Sequence, residues 1–156
     1  MGYNSNNYSK PYGNTGCQGS RGNNGYGNNA PTKKFEPLNK LTYVDKAEKI
    51  MKETDKKGAI PTNQIRIILD LINEIYMPVK ASADAKETEL GNDILSKLKY
   101  IKMKIAYQAG RDPKVKQFVE DTNIMNHIDN VKVKDDVILL AHYMEALVAY
   151  RKYYID

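Results

Sequence analysis

The side chains of this sequence that could do chemistry are two histidines, scattered carboxylates and a set of helical cations. His127 and His142 are its only histidines, and they fall on different predicted helices. His142 and Glu145 are three residues apart, which places both on one helical face, where they could supply two metal ligands. A zinc site needs more than two protein ligands, so we interpret this pair as polar residues beside a buried helix and predict no metal site.

The sequence contains no arrangement typical of nucleophilic or acid–base catalysis. Its paired carboxylates, Asp135–Asp136 and Glu120–Asp121, stand at predicted helix ends, where capping and solvation explain them. The only cysteine, Cys17, leaves no intrachain disulfide and no thiolate cluster. The glycines of residues 35–156 are isolated from one another, which excludes a phosphate-binding loop: Gly58, Gly91 and Gly110. We therefore predict a protein that is not an enzyme and needs no cofactor.

Six cations on predicted helices remain as candidate binding residues: Arg66, Lys102, Lys104, Arg111, Lys114 and Lys116. In a small helical domain they could converge on one groove and bind the phosphodiester backbone of RNA. The alternative is a solvated charged face without a ligand. An ion pair between Arg66 and Asp70, four residues apart, would explain Arg66 without any RNA.

The element that must position most of these cations is a predicted central helix of about residues 89–109. One row of apolar side chains shares a narrow arc at 100° per residue, as expected of a helix laid against a core: Ile94, Leu98, Ile101 and Ile105. A second row points the opposite way: Tyr100, Met103 and Tyr107. The helix is therefore expected to be covered on both sides, by the domain's core and by more core or a partner. Gly110 is expected to end it, with Asp112 as N-cap and Pro113 as first residue of the next helix.

Capping residues and apolar periodicity indicate four further helices, over residues 42–58, 63 to about 77, 113 to about 127 and 135 to about 154. Pro78 is expected to bend or end the second of the five. The alternation over residues 131–134 is too short to predict a strand, so we interpret it as a connection. The predicted fold class is all-α, a small bundle of four to five helices with a disordered N-terminal tail.

The last predicted helix is apolar nearly all round, which is typical of the centre of a bundle or of one half of an interface. Two pairs of tyrosines spaced by seven residues suit stacking against a neighbouring copy of the chain. We take them as candidate subunit-interface residues: Tyr100 and Tyr107, Tyr143 and Tyr150. Burial of these tyrosines in the core of a single copy is the alternative.

Residues 1–36 are predicted to form the disordered tail and residues 37–156 the helical domain. The first 34 residues hold seven of the ten glycines, eight asparagines and four tyrosines, but no acidic residue. Such a segment cannot bury enough apolar surface to offset the entropy of ordering. Two roles stay open for it: contact with RNA through its tyrosines and Arg21, or a solvated extension without a function.

Net charge is a weak guide to the partner of the domain. The first 34 residues carry four of the five net positive charges, so residues 35–156, with 20 basic and 19 acidic residues, have a net charge of +1. An argument for RNA binding must therefore rest on the local placement of cations. No run approaches 18 apolar residues and no signal-peptide core is found, so we expect a cytoplasmic protein without a membrane partner.

Three segments, in this order and spacing, resemble the small helical subunit of the type III-A (Csm) CRISPR effector complex: TNQIRIIL at residues 62–69, YIKMKIAYQAGRD at 100–112 and MEALVAYRKYY at 144–154. The resemblance covers about residues 40–156. It implies a non-catalytic subunit, several copies of which stack along the complex and line the channel that holds the RNA. The implied partners are guide RNA, target RNA, the repeated backbone subunit, the large subunit and copies of the chain itself.

The basic positions of this family carry over to Arg66, Lys102 and Arg111 in the matching segments, and to Lys116 in the matched start of the helix that follows. The resemblance thus favours RNA binding by phosphate neutralisation, without base readout, in antiviral defence. A domain of net charge +1 should bind RNA weakly as one copy, whereas repeated copies along a strand add their contacts. A protein-only helical adaptor or oligomerisation module without direct RNA contact is the alternative. A small enzyme would require a titrating histidine or a bound metal.

Overall fold

The computed structural model describes residues 35–83 and 88–156, so the predictions for residues 1–34 lie outside the described residues. Six α-helices follow one another: α1 (Tyr43–Glu53), α2 (Thr62–Ala81), α3 (Asn92–Arg111), α4 (Pro113–Thr122), α5 (Ile124–Asp129) and α6 (Lys134–Tyr154). The described residues contain no strand, only an isolated antiparallel bridge between Glu89 and Val133. None of their helices has both the length and the apolarity to cross a membrane. The all-α fold class predicted from the sequence is confirmed.

The centre of the bundle is α6, along which α1 and α2 pack. Its side chains Tyr143, Met144 and Leu147 are fully buried. Burial of a large apolar side chain contributes roughly 1.5–3 kcal/mol, so this face of α6 holds the two flanking helices in place. Of the two interpretations of the last helix, the structure supports the central position in the bundle.

The helix α2 turns one apolar face to the core because Ile65, Ile68 and Ile72 recur at helical spacing, and all three are buried. It runs through Pro78 and ends at Ala81, one turn beyond the end predicted from the sequence. Proline lacks the amide hydrogen of this turn. The next turn is nevertheless closed, because the amide of Ser82 donates to the carbonyls of Pro78 and Val79.

The helices α3 and α4 pack against each other and are joined by the single residue Asp112. The backbone of Asp112 is extended, and its carboxylate accepts a hydrogen bond from the amide of Lys114 at 2.8 Å. Pro113 is the first residue of α4. The predicted N-cap is thus confirmed, whereas Gly110 lies inside α3 and does not end it.

The helix predicted over residues 113 to about 127 is two helices, α4 and α5, which meet at Asn123. Asn123 has a φ of 53°, in the left-handed region, and this conformation interrupts the path of α4. The amide of Asn123 donates to the carbonyl of Glu120 at 3.3 Å. A new helix therefore begins after Asn123, which raises the number of helices to six in the described part of the chain.

Arg151, near the end of α6, joins three segments of the domain. Its side chain is buried; the Nε atom donates to the carbonyl of Ile60 at 2.7 Å and the Nη1 atom to the carboxylate of Asp156 at 2.5 Å. Ile60 lies between α1 and α2, 91 residues earlier in the chain. The hydroxyl of Tyr154 donates to Glu48 of α1 at 2.5 Å. The end of α6 is thereby fixed to α1 and to the start of α2.

Candidate nucleic-acid interface

The helix α3 lies between α2 on one side and α4 and α5 on the other. It runs antiparallel to α2, because Val79 near the end of α2 and Ile94 near the start of α3 line the same cavity. Further along, the Nζ atom of Lys104 lies 3.8 Å from the Oε1 atom of Glu74 on α2. Since its inner face is buried and both flanks have neighbouring helices, α3 exposes a single outer face.

This outer face carries alternating aromatic and cationic side chains, which we call the tyrosine ladder: Tyr100, Lys104, Tyr107 and Arg111. Tyr100 and Tyr107 are 54% and 63% exposed. The Nζ atom of Lys104 lies 4.7 Å from the ring centroid of Tyr100, and the Cζ atom of Arg111 lies 5.5 Å from that of Tyr107. Both distances suit cation–π interactions. Each cation follows its tyrosine by four residues, the spacing at which helical side chains are neighbours.

Arg66 lies at the same end of the domain as Arg111. On α2, Arg66 precedes Glu74 by eight residues, a rise of about 12 Å. On the antiparallel helix α3, Arg111 follows Lys104 by seven residues, a rise of about 10 Å. Because Glu74 pairs with Lys104, Arg66 and Arg111 reach about the same height. Arg66 is exposed and, within residues 35–83 and 88–156, forms no ion pair. The ion pair with Asp70 that would have explained Arg66 is therefore not formed there.

Lys102 lies on the opposite flank of α3 from Lys104, since residues two positions apart on a helix differ by 200° of rotation. Its Nζ atom pairs with the Oδ2 atom of Asp129 on α5 at 2.5 Å, and the pair borders a cleft that Lys99 also lines. The shared groove expected for Arg66, Lys102 and Arg111 is thus not formed by those three. The structure places Lys104 and Arg111 on the outer side of α3, with Arg66 on α2 at about the height of Arg111, and leaves Lys102 apart.

The side chains of the two candidate lysines of α4 lie on opposite flanks of this helix. Lys114 and Lys116 are both exposed and are two residues apart. Lys114 borders a small cavity on the side of α1, together with Ile50 and Met51. Lys116 therefore lies on the flank away from α1. Of the six predicted RNA-binding cations, Lys104 and Arg111 lie together on the outer side of α3. Arg66 is exposed on α2, and the other three are spread over different flanks.

The four tyrosines predicted at a subunit interface do not form one surface. Tyr100 and Tyr107 are exposed on the ladder, but Tyr143 is 0% exposed and its hydroxyl donates to the carbonyl of Thr122 at 3.2 Å. Tyr143 is thus a core residue, which corrects its assignment to an interface. The seven-residue spacing could not separate the buried from the outer side of a helix that is apolar nearly all round. Tyr150 is half-buried, with its ring stacked on that of Tyr154 at 6.1 Å.

His127 on α5 is buried, and its Nε2 atom has no hydrogen-bond partner in the part of the chain that the structure describes. The rings of Phe35 and Tyr143 flank the imidazole, with centroids at 5.1 and 5.4 Å. Burial and, secondly, the positive charge of Lys46 lower the pKa of His127 to about 4. The imidazole is therefore neutral at pH 7. Sequence reasoning missed this contact because it assigned Phe35 to the tail.

The other histidine, His142, is surrounded by aromatic rings. Its ring centroid lies 6.4 Å from that of Tyr43 on α1 and 5.9 Å from that of Tyr76 on α2. His142 thus bridges the helices that flank α6. Among the described residues, no three histidine, cysteine or carboxylate side chains are grouped so that they could hold a metal ion.

Positive charge is concentrated on α3. This helix contains five basic residues and one acidic residue, a net charge of +4: Lys97, Lys99, Lys102, Lys104, Arg111 and Asp93. Residues 35–156 together have a net charge of +1, so the residues of that range outside α3 carry −3. The local placement that the RNA hypothesis requires is therefore present on one helix.

Known proteins resemble the chain over the whole domain. A family model described as Csm2 Type III-A matches residues 37–156, which include all six helices. The "CRISPR system Cms protein Csm2" of Streptococcus thermophilus is 38% identical over 116 residues, which are 72% of this chain and 90% of the relative. The protein of the same name from Enterococcus italicus is 39% identical over 100 residues, 62% of this chain and 69% of the relative. That of Mycobacterium tuberculosis is 31% identical over 114 residues, 71% of this chain and 90% of the relative.

Proposed function

The chain belongs to the Csm2 type III-A family, and from this premise we propose that it is a small, non-catalytic subunit of a type III-A CRISPR ribonucleoprotein complex. In this role it binds other subunits of the complex and stacks in several copies. The copies line the channel that holds guide and target RNA and contribute to the binding of target RNA in antiviral defence. Its place of action is the cytoplasm.

The observation that supports RNA contact is the net charge of +4 on α3, beside a remainder of the domain that carries −3. RNA carries one negative charge per nucleotide, so it is attracted to the α3 side and repelled by the rest of the domain. Arg111 on α3 and Arg66 at the same end of α2 form no ion pair with acidic side chains of the described residues. Their charges are therefore available to phosphate groups.

Two further cations of α3 are engaged in ion pairs, Lys104 with Glu74 and Lys102 with Asp129. All four side chains are at least one-third exposed. Exposed ion pairs contribute only about 0.2–1 kcal/mol, so a phosphate group can replace the carboxylate at small cost. Lys104 shares the tyrosine ladder with Arg111 and is the stronger candidate. Lys102 and the two lysines of α4 remain predicted RNA contacts at separate positions.

The number of copies sets the strength of binding in this proposal. One copy offers about three phosphate contacts from Arg66, Lys104 and Arg111, which is few for stable binding at physiological salt. Copies held side by side by the complex present these contacts to one RNA strand at high effective concentration. Weak binding by the isolated chain and firm binding by the assembled complex are both expected.

The test is the variant R66Q/K104Q/R111Q, incorporated in every copy of the assembled complex. Neutral glutamine removes three charges while keeping helix-forming side chains. We expect weaker retention of target RNA and a flatter dependence of the logarithm of the binding constant on the logarithm of salt concentration. The slope should fall by about 2 for each bound copy, since a single-stranded phosphate contact accounts for about 0.7.

The matched control is K49Q/K52Q/K56Q, which removes three exposed charges in and just after α1. Thermal unfolding of both variants checks that the fold is retained. Equal affinity and equal salt dependence in the two variants would reject RNA contact by these residues. Ultraviolet crosslinking in the purified complex then identifies the alternative, because a protein-only adaptor yields crosslinks to proteins and none to RNA.

A further inference from the structure

We propose that the tyrosine ladder binds unpaired RNA bases by stacking: Tyr100 and Tyr107 contact bases, while Lys104 and Arg111 contact the flanking phosphates. This inference rests on the proposed function and adds to it a second kind of contact. Phosphate neutralisation needs only cations, whereas stacking needs aromatic rings that are exposed in the protein before RNA binds.

The first support is exposure. Three large apolar side chains, Tyr100, Met103 and Tyr107, occur within eight residues on the outer face of α3, and each is more than half exposed. The inner face of the same helix already fills the core through Ile101 and Ile105. Folding therefore does not need the outer row, and an exposed apolar row of this kind marks a binding surface.

The second support is the pairing of each ring with a cation. The Lys104 and Arg111 side chains lie over the rings of Tyr100 and Tyr107, within reach of any group that binds beside those rings. A nucleotide offers both matching parts, an aromatic base for the ring and a phosphate for the cation. An arginine near the ring also contributes to base stacking through its cation–π interaction.

Charge favours RNA over a second copy of the chain as the occupant. A symmetric contact between two copies through this face would bring two helices of net charge +4 together, and their repulsion opposes it. An RNA strand instead supplies negative charge along the whole helix.

The spacing sets the path of the strand. Tyr100 and Tyr107 are seven residues apart, a rise of about 10 Å, and they differ by only about 20° in direction around the helix. Two bases that stack on them therefore belong to a strand that runs along α3. At its end this path passes Arg111, whose guanidinium lies over the ring of Tyr107.

The experiment compares two fluorescent oligomers with the same number of phosphates, an oligoadenylate and an abasic ribose-phosphate oligomer, binding to the full-length chain. The test variant is Y100L/Y107L, which keeps apolar side chains on the helix but removes both rings. The control is Y153L, because Tyr153 is 78% exposed on α6, outside the ladder. We expect the test variant to bind oligoadenylate about tenfold more weakly or worse, and the abasic oligomer with unchanged affinity. Y153L should match the wild type with both oligomers.

Crosslinking in the assembled complex provides the second measurement, with 4-thiouridine in the target RNA and mass spectrometry of the linked peptides. We expect base crosslinks at Tyr100 and Tyr107. Their absence overturns the proposal, and this measurement decides even if the isolated chain binds the oligomers too weakly to measure. Unchanged oligoadenylate affinity of Y100L/Y107L, or an equal loss with both oligomers, overturns it as well. If Y100L/Y107L leaves RNA binding unchanged and alters only the oligomeric state measured by sedimentation, the tyrosine ladder binds a second copy of the chain, which overturns the proposal. The proposed function fails separately, when R66Q/K104Q/R111Q complexes retain RNA as the wild type does.

Discussion

At the scale of single residues, His127 shows how burial sets a protonation state. The groups that face its imidazole are the rings of Phe35 and Tyr143 and the positive charge of Lys46. None of them carries the negative charge that would offset the burial of an imidazolium cation. The ammonium of Lys46 is itself partly desolvated, which lowers its pKa, while the nearby Glu36 acts in the opposite direction. The folded domain therefore binds a proton at His127 less readily than an unfolded chain does.

This burial predicts a dependence of stability on pH. The pKa of His127 is about 4 in the folded chain and about 6.5 in an unfolded one, so the unfolded state binds more protons between these values. The contribution to stability is complete above about pH 6.5 and is lost as pH falls toward 4, by about 2 kcal/mol at pH 5. Urea unfolding of the wild type and of H127L between pH 7 and pH 5 measures it.

Carboxylates titrate in both proteins, so the difference between the two pH profiles isolates the histidine. The H127L variant should lose less stability than the wild type over this range. Parallel profiles would show that His127 is accessible to protons in the folded state.

The tyrosines of the ladder were predictable, because 100° of rotation per residue places Tyr100 and Tyr107 opposite Ile101 and Ile105. The position of Arg111 was not, because the helix was expected to end before it. The partners of the lysines were not predictable. Whether Lys104 meets Glu74 and Lys102 meets Asp129 depends on which helix packs on which flank of α3. Periodicity within one helix contains no information about that choice.

At the scale of elements, local signals placed most helix starts but misplaced some ends. The N-cap at Asp112 was predicted correctly because it depends only on residues 112–114. Pro78 was expected to bend or end its helix and Gly110 to end one, yet α2 and α3 continue past them. The break at Asn123 was missed, although asparagine is among the few residues that adopt the left-handed conformation readily.

The break between α4 and α5 is testable by substitution of Asn123. At a positive φ the Cβ atom of alanine clashes with the backbone, so N123A should lower the free energy of unfolding by about 1 kcal/mol. Glycine adopts this conformation without the penalty, so N123G should stay within about 0.5 kcal/mol of the wild type. Urea unfolding measures both variants. Equal stability of N123A and N123G would show that the backbone at this position relaxes into an ordinary helical conformation.

At the scale of the whole molecule, composition concealed the feature that supports the proposed function. A net charge of +1 over residues 35–156 describes a nearly neutral domain. The structure resolves it into +4 on α3 and −3 in the remainder. Only the assignment of residues to helices, and of helices to the surface or the core, reveals such a division.

Arg151 links the end of α6 to the segment before α2, because its side chain donates hydrogen bonds to the carbonyl of Ile60 and to the carboxylate of Asp156. Methionine at this position keeps an unbranched apolar stem, as in the inner part of the arginine side chain, but leaves a buried carbonyl without a donor. The R151M variant should therefore lose about 1–3 kcal/mol of unfolding free energy, measured as a lower urea midpoint with an unchanged slope.

Lys152 supplies the matched control for this substitution, because it pairs with the same Asp156 at 3.5 Å but is 74% exposed. Exposed ion pairs contribute little, so K152M should leave the midpoint unchanged. If both variants shift the midpoint equally, the charge on Asp156 is what holds the end of α6, and the bond to Ile60 contributes nothing. A shift confined to R151M shows that the link between α6 and the start of α2 closes the bundle.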